Sequence, residues 1–180
     1  MAEIKATAVC FIKQKLRDLG GDAESAFIKT LPVKAAEIYK TVLPLSWIPT
    51  DIAAIIYKQG AKTLYPGNHN DCLRQLGFES CRVSYTGIYR LLIRISTIPF
   101  LLEQAARIWS NHYNKGQVVA QRLSAKTAVF IVRDYPDLND TLAEVISGYI
   151  CALCELSGEK DPYVKRENTP SEWRWMVNWS

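Results

Sequence analysis

Cys151-Ala152-Leu153-Cys154 has the C-x-x-C spacing, which on a helix sets both sulfurs on one face. That spacing serves a redox dithiol or half of a zinc site. Redox use calls for a helix N-terminus, where the macrodipole lowers the thiol pKa, whereas this pair stands near the end of an apolar periodic run that Gly158 closes. Zinc needs two further ligands, and the chain offers only His69, His112 and the distant Cys10, Cys72 and Cys81. The favoured reading is five free, structural cysteines acting as small buried hydrophobes, with no metal. His69 lies in the loop Pro66-Gly67-Asn68-His69-Asn70 and His112 at the helix end Trp109-Ser110-Asn111-His112-Tyr113. Either is an axial haem ligand by type. The plainer reading sets His112 against the helix dipole and leaves His69 solvated.

Near the C-terminus, Trp173, Trp175, Val177 and Trp179 alternate with Arg174, Met176 and Asn178, so a strand would carry three indoles on one side. Such a face on a basic sheet can stack single-stranded nucleic acid. It can equally be the packed side of the sheet, lying against the helix expected over 140–156, and the bulk of three indoles favours that second reading. Arg82, Tyr85 and Tyr89 share one helical face and Arg90 and Arg94 another, a surface for an anionic head group or simply a solvated one. Asp134 and Asp137 flank Tyr135-Pro136, which is turn chemistry before it is acid–base chemistry. No Ser-His-Asp set, paired-carboxylate motif, P-loop or G-x-G-x-x-G stands in the chain, so the residues argue for a protein that is not an enzyme.

Two kinds of element must position these groups. Up to residue 113 the apolar residues recur at helical spacing. Val9, Ile12, Leu16 and Leu19 form one stripe, stopped by Gly20-Gly21, and Asp22 caps a short helix through Phe27 and Leu31. Helices follow from about Val33 to Leu43, then after Thr50 with Ile52, Ile55, Ile56 and Leu64 inward, and after an Asn70 cap through Leu73, Leu76 and Val83. Two more run from about Gly87 to Ser96 and from Pro99 to Tyr113, the second with Leu101, Leu102, Ala105, Ile108 and Trp109 inward. After Gly116 the period becomes that of strands, with a hairpin of Gln117 to Arg122 and Thr127 to Tyr135. Asn139 or Asp140 then caps a helix to Leu156, and two further strands run from Tyr163 to Glu167 and from Glu172 to Trp179. The expected fold class is α+β: a helical N-terminal layer over 1–113, then an antiparallel β-β-α-β-β unit over 114–180, in one domain.

With 180 residues, 48% of them hydrophobic, the chain can bury a full core without disulfides. Its 22 Lys and Arg against 18 Asp and Glu are scattered, a balance that serves solubility and gives no footprint for nucleic acid. The odd count of five cysteines fits a reducing cytoplasm. Charges interrupt the apolar stretches at Lys5, Lys13, Lys15, Arg90 and Arg94, which argues against a signal peptide and against membrane insertion.

Several segments carry a resemblance. IKATAVCFIKQKLRDLGG near the start, SWIP at Ser46 to Pro49, TGIYRLLIR at Thr86 to Arg94 and IWSNHYNKGQV at Ile108 to Val118 resemble a paralogous family of Myxococcus and related bacteria. The hairpin, the helix ending ISGYICALCELSG and the two strands ending in Trp are similar to the 4-vinyl reductase domain. That domain belongs with the haem nitric-oxide-binding domains and the Golgi-transport tethering subunits in one ligand-binding superfamily. The resemblance implies a non-enzymatic cytoplasmic sensor or regulatory module, with a small apolar ligand between helical layer and sheet. It also implies, as alternatives, a homodimeric interaction scaffold or contact with a signalling partner protein, and in third place a haem or redox protein. The haem-binding members use a Tyr-x-Ser-x-Arg motif with a proximal histidine, and this chain lacks the motif, so no cofactor is expected. The lining expected for a pocket is Tyr85, Tyr89, Trp109, Phe130 and Tyr149, with Arg82 or Arg90 at the mouth for a polar head group.

Overall fold

The computed structural model describes residues 1–84, 98–167, 169 and 172–180. The helix expected over 87–96, and with it Tyr85, Tyr89, Arg90 and Arg94, lies outside the described residues. In chain order the elements are β1 (Glu3–Lys5), α1 (Thr7–Asp18), α2 (Ala23–Lys29), α3 (Val33–Thr41), β2 (Trp47–Pro49), α4 (Thr50–Leu64) and α5 (His69–Ser84). They are followed by α6 (Ile98–Glu103), α7 (Ala105–His112), β3 (Gln117–Ser124), β4 (Thr127–Arg133), α8 (Asp140–Leu156), β5 (Tyr163–Arg166) and β6 (Trp173–Asn178). A helical layer followed by a β-β-α-β-β unit is the α+β class expected.

The helical stripes bury what their spacing brings to one side. Val9, Ile12 and Leu16 of α1 and Ile52 and Ile56 of α4 are buried, but three expected inner residues point outward. Leu19 stands past the end of α1 and is exposed, as are Ile55 and Val83. Gly20 and Gly21 take the left-handed backbone that ends α1 (φ +71° and +56°). Asn139 caps α8 by accepting from the Leu142 N–H at 3.2 Å. At α5 the capping side chain is Asn68, whose Oδ1 accepts from Asp71 N–H at 3.0 Å, in place of the expected Asn70. Asp22 stands at the start of α2 without a side-chain cap bond. The single helix expected over 99–113 is broken at Gln104 into α6 and α7.

Two short strands were not foreseen. β1 pairs antiparallel with β2, Ile4 opposite Ile48, and Ile4 also bridges to Tyr113. The main sheet is antiparallel throughout, in the order β3-β4-β6-β5. The last strand is therefore inserted beside β4, with Phe130 opposite Trp175 and Ala128 opposite Val177. Trp175, Val177 and Trp179 are buried and Trp173 is half-buried. The Trp175 Nε1–H donates to the Ala143 carbonyl (3.3 Å) and the Ser147 hydroxyl (3.0 Å) of α8. The indole face is the packed face of the sheet, not a platform for bases.

α8 lies between this sheet and α5. At its crossing with α5, a Cβ built on Gly77 would overlap the Val145 carbonyl, and one built on Gly148 would overlap the Arg74 carbonyl. Glycine on both helices lets the two backbones touch. Beside the crossing, buried Glu144 accepts from Arg74 (2.6 Å) and Arg166 (3.3 Å), and Arg166 also reaches Asp140 (2.7 Å). The network ties α5, α8 and β5 together, and each Glu144 oxygen has a cationic donor, as a buried carboxylate requires.

Candidate functional site

Beside that crossing, the helical layer and the sheet enclose a cavity of about 120 Å³. Val145, Tyr149 and Leu153, spaced by four along α8, form one wall, and Ala128 and Phe130 of β4 with Val177 and Trp179 form the floor. Leu101, Leu102, Ala105, Ile108 and Trp109 of α6 and α7 close it, at the positions their spacing sets inward. Trp109 is locked in place: its ring stacks on Tyr113 (centroids 3.9 Å apart), meets Tyr135 edge-on, and its Nε1–H donates to the Lys115 carbonyl at 2.7 Å. Gly116 has φ +90°, and a Cβ there would stand 3.1 Å from Trp109 Nε1, so glycine is what lets the chain pass against the indole. Phe130 lies between Trp109 and Trp175, 6.2 and 5.8 Å from them.

Among the described residues few polar groups line this space, and most have partners. The Ser80 hydroxyl donates to the Gly77 carbonyl and that of Ser84 to the Ser80 carbonyl. Lys5 reaches the Leu45 carbonyl at 2.9 Å with its Nζ 4.2 Å over the Trp47 ring. Burial raises the Tyr57 and Tyr113 hydroxyl pKa values, keeping both neutral. His112 and Tyr149 form a pair, Nε2 to the hydroxyl at 3.2 Å with the rings edge-on at 5.6 Å. Burial first, and the Lys5 charge second, hold the His112 pKa below its ordinary value. His112 does end α7, as expected, but its ring lies inside, where desolvation favours the neutral imidazole instead of a cation resting on the dipole. His69 is exposed at the start of α5.

Of the expected lining residues, the structure brings Trp109, Phe130 and Tyr149 together around the cavity. Arg82 is not among the lining. Its guanidinium is at the surface, 3.6 Å from Glu155 and 5.6 Å over the Phe78 ring, because its side of α5 turns toward the exposed end of α8. Tyr85, Tyr89 and Arg90 lie outside the described residues. Tyr57, Tyr113 and Trp179 line the cavity without having been expected there, and His112, expected to rest on the helix dipole, lines it too. The β1–Tyr113 bridge that turns the end of α7 inward joins residues more than a hundred apart and leaves no local signal.

Cys81 and Cys154 are buried, and burial raises both thiol pKa values, that of Cys154 to about 12. Cys151 lies 3.7 Å from the Pro162 carbonyl, its thiol pKa also raised by burial. Neither C-x-x-C thiol has the depressed pKa a nucleophile needs. Among the described residues no three His, Cys, Asp or Glu side chains cluster as a metal site would require, and no helix is long and apolar enough to cross a membrane.

No family model and no curated protein sequence matches the chain. Solved structures do. An H-NOX mutant designated Cs aligns over 98% of this chain and 96% of its own, with a TM-score of 0.64 and 15% identity. An oxygen-binding H-NOX domain related to soluble guanylate cyclases, in its oxygen complex, aligns over 97% and 92% (TM-score 0.61, 14% identity). An Fe(II) unliganded H-NOX mutant from K. algicida aligns over 98% and 96% (TM-score 0.61, 11% identity). The likeness is one of fold, and it runs through both the helical layer and the sheet.

The haem of such neighbours can be tested against the residues present here. Sites for drug-sized ligands and cofactors occupy roughly 300–1,000 Å³, against about 120 Å³ in this cavity. The histidine at the cavity has its Nε2 bonded to Tyr149, and Lys5, the one lining cation among the described residues, is bonded to the Leu45 carbonyl. The described residues do not fit a porphyrin.

Proposed function

We propose that the chain is a non-enzymatic sensor module whose cavity binds a small, mainly apolar molecule. The cavity itself carries the reading: about 120 Å³, walled chiefly by aliphatic and aromatic side chains at the join of helical layer and sheet. A well-packed domain ordinarily leaves few voids larger than a water molecule. An apolar cavity of about 150 Å³ stays dry and accepts benzene or xenon, which sets the ligand's size at roughly that of benzene. Ligand binding in an oxygen-binding H-NOX domain of like fold supports the reading. Packed around the cavity are α6, α7 and β1, short elements that a ligand can order or shift.

The test is ligand-linked stabilisation of the purified protein. A molecule that binds only the folded state at a hundredfold its Kd adds about 2.7 kcal/mol, so benzene or xenon is expected to raise the melting temperature. Ala105→Leu, which adds carbon to the cavity wall, is expected to abolish that rise. No rise with either probe would overturn the reading in favour of a scaffold without ligand, and a Soret band in the visible spectrum would overturn it in favour of haem.

A further inference from the structure

The reading above gives the ligand's size and apolar body, and the cavity also constrains its polar chemistry. Ser80 and Ser84 donate to backbone carbonyls of their own helix, and Lys5 is committed to the Leu45 carbonyl and the Trp47 ring. Tyr149 is bonded to His112, and the Tyr57 and Tyr113 hydroxyls, also at the lining, are held neutral by burial. His112 has one hydrogen-bond partner among the described residues, through Nε2. An imidazole has two ring nitrogens, one a donor and one an acceptor in the neutral state, so Nδ1 retains its hydrogen-bonding capacity. Whichever way the proton lies in the Nε2–Tyr149 bond, Nδ1 takes the complementary role.

From this arrangement we infer that His112 is the polar anchor of the cavity, selecting a neutral, benzene-sized molecule that carries a single hydrogen-bonding group, such as a phenol, over the bare hydrocarbon and over any charged analogue. The inference rests on the proposed ligand-binding reading and adds the class of ligand. Among the described residues no opposite charge is free to pair with a carboxylate or ammonium group buried here, and an unpaired charge costs more than the apolar gain of so small a body. A hydroxyl replaces its hydrogen bond to water with one to the imidazole, and the net gain of such a bond, about 0.5–1.5 kcal/mol, corresponds to a roughly two- to tenfold preference for phenol over benzene.

The experiment is calorimetric titration of the full chain with benzene, phenol and benzoate at neutral pH, in the wild type and in His112→Phe, which keeps a ring and removes both nitrogens. Phenol is expected to bind two- to tenfold more tightly than benzene in the wild type and equally in His112→Phe, with benzoate unbound by both. As a measurement independent of any variant's folding, the ¹⁵N resonance of His112 Nδ1 is expected to move on addition of phenol to wild type and to stay in place with benzene. Equal binding of benzene and phenol, or an unmoved Nδ1 resonance at saturating phenol, would overturn the anchor and leave the cavity reading standing. Binding of benzoate as tightly as phenol would overturn the neutral-ligand class, and binding of none of the three would overturn both.

Discussion

Toward α5, α8 comes so near that two glycines, Gly77 and Gly148, are the residues that permit it. Toward the sheet and α6–α7, the same helix helps to bound a cavity of about 120 Å³ behind Tyr149 and Leu153. The positions that make the difference are neighbours in sequence: Glu144 and Gly148 face the crossing, while Val145 and Tyr149, whose backbone also meets Gly77, turn their side chains to the cavity about 100° further around the axis. A side packed backbone on backbone has one solution and transmits any displacement. A side packed ring against ring around a space can accept an occupant with side-chain adjustments. The first is the frame and the second is where we propose that a ligand binds, and substitutions on the two sides should behave differently.

The largest effect is expected at the crossing. Gly148→Val directs its Cβ at the Arg74 carbonyl, which is backbone and cannot rotate away. The helices must separate, so urea unfolding should show a loss of about 3 kcal/mol or more. A variant that unfolds at the wild-type midpoint would show that the crossing is not the frame. Next comes Trp175→Ala, which removes a wholly buried indole and its bonds to Ala143 and Ser147. It should cost roughly 3–5 kcal/mol by the large-to-small rule; an unchanged melting temperature coupled to lost oligonucleotide binding would restore the base-stacking reading of that face. On the cavity side, Ala105→Leu should change stability by less than about 1.5 kcal/mol, while eliminating any stabilisation by benzene. A large destabilisation there would mean that the cavity side is packed as tightly as the crossing.

The two sides also differ in how far the sequence disclosed them. Period alone placed α8, the hairpin and the closing strands, and the inward faces that carry Trp109, Phe130 and Tyr149, because those features depend on neighbours within a turn or a pleat. It did not show that β6 lies beside β4, since alternation marks a strand's faces without naming its partners. Nor did it show β1 and β2, three residues each, paired across more than forty residues. Arg82 was expected at the pocket mouth from a helical face shared with Tyr85 and Tyr89, but its orientation follows from Glu155 on α8, a contact that helical spacing within α5 does not encode. The glycine crossing was equally silent: a glycine inside a helix is by itself only a weak point, and only the pairing of the two helices makes Gly77 and Gly148 its cause.

The smallest effect, and the one most specific to the cavity side, is a pH dependence. His112 is held below its ordinary pKa of 6.5, by burial first and by the Lys5 charge second. Between the folded-state value and 6.5 the unfolded chain binds a proton that the folded chain does not. Stability therefore rises with pH through that window, is fully present above 6.5, and is lost as pH falls below it. Glu79 acts lower on the scale. Burial raises its pKa, but hydrogen bonds from Lys15 and Gln75 outweigh that and leave it below 4.5, so its share is lost only as pH falls beneath that value. Urea midpoints taken from pH 7.5 down to pH 5 should thus fall in the wild type, and the fall should be shallower in His112→Phe. Matching slopes in the two proteins would show that the imidazole is well solvated, and would remove the electrostatic contrast between the two sides of α8.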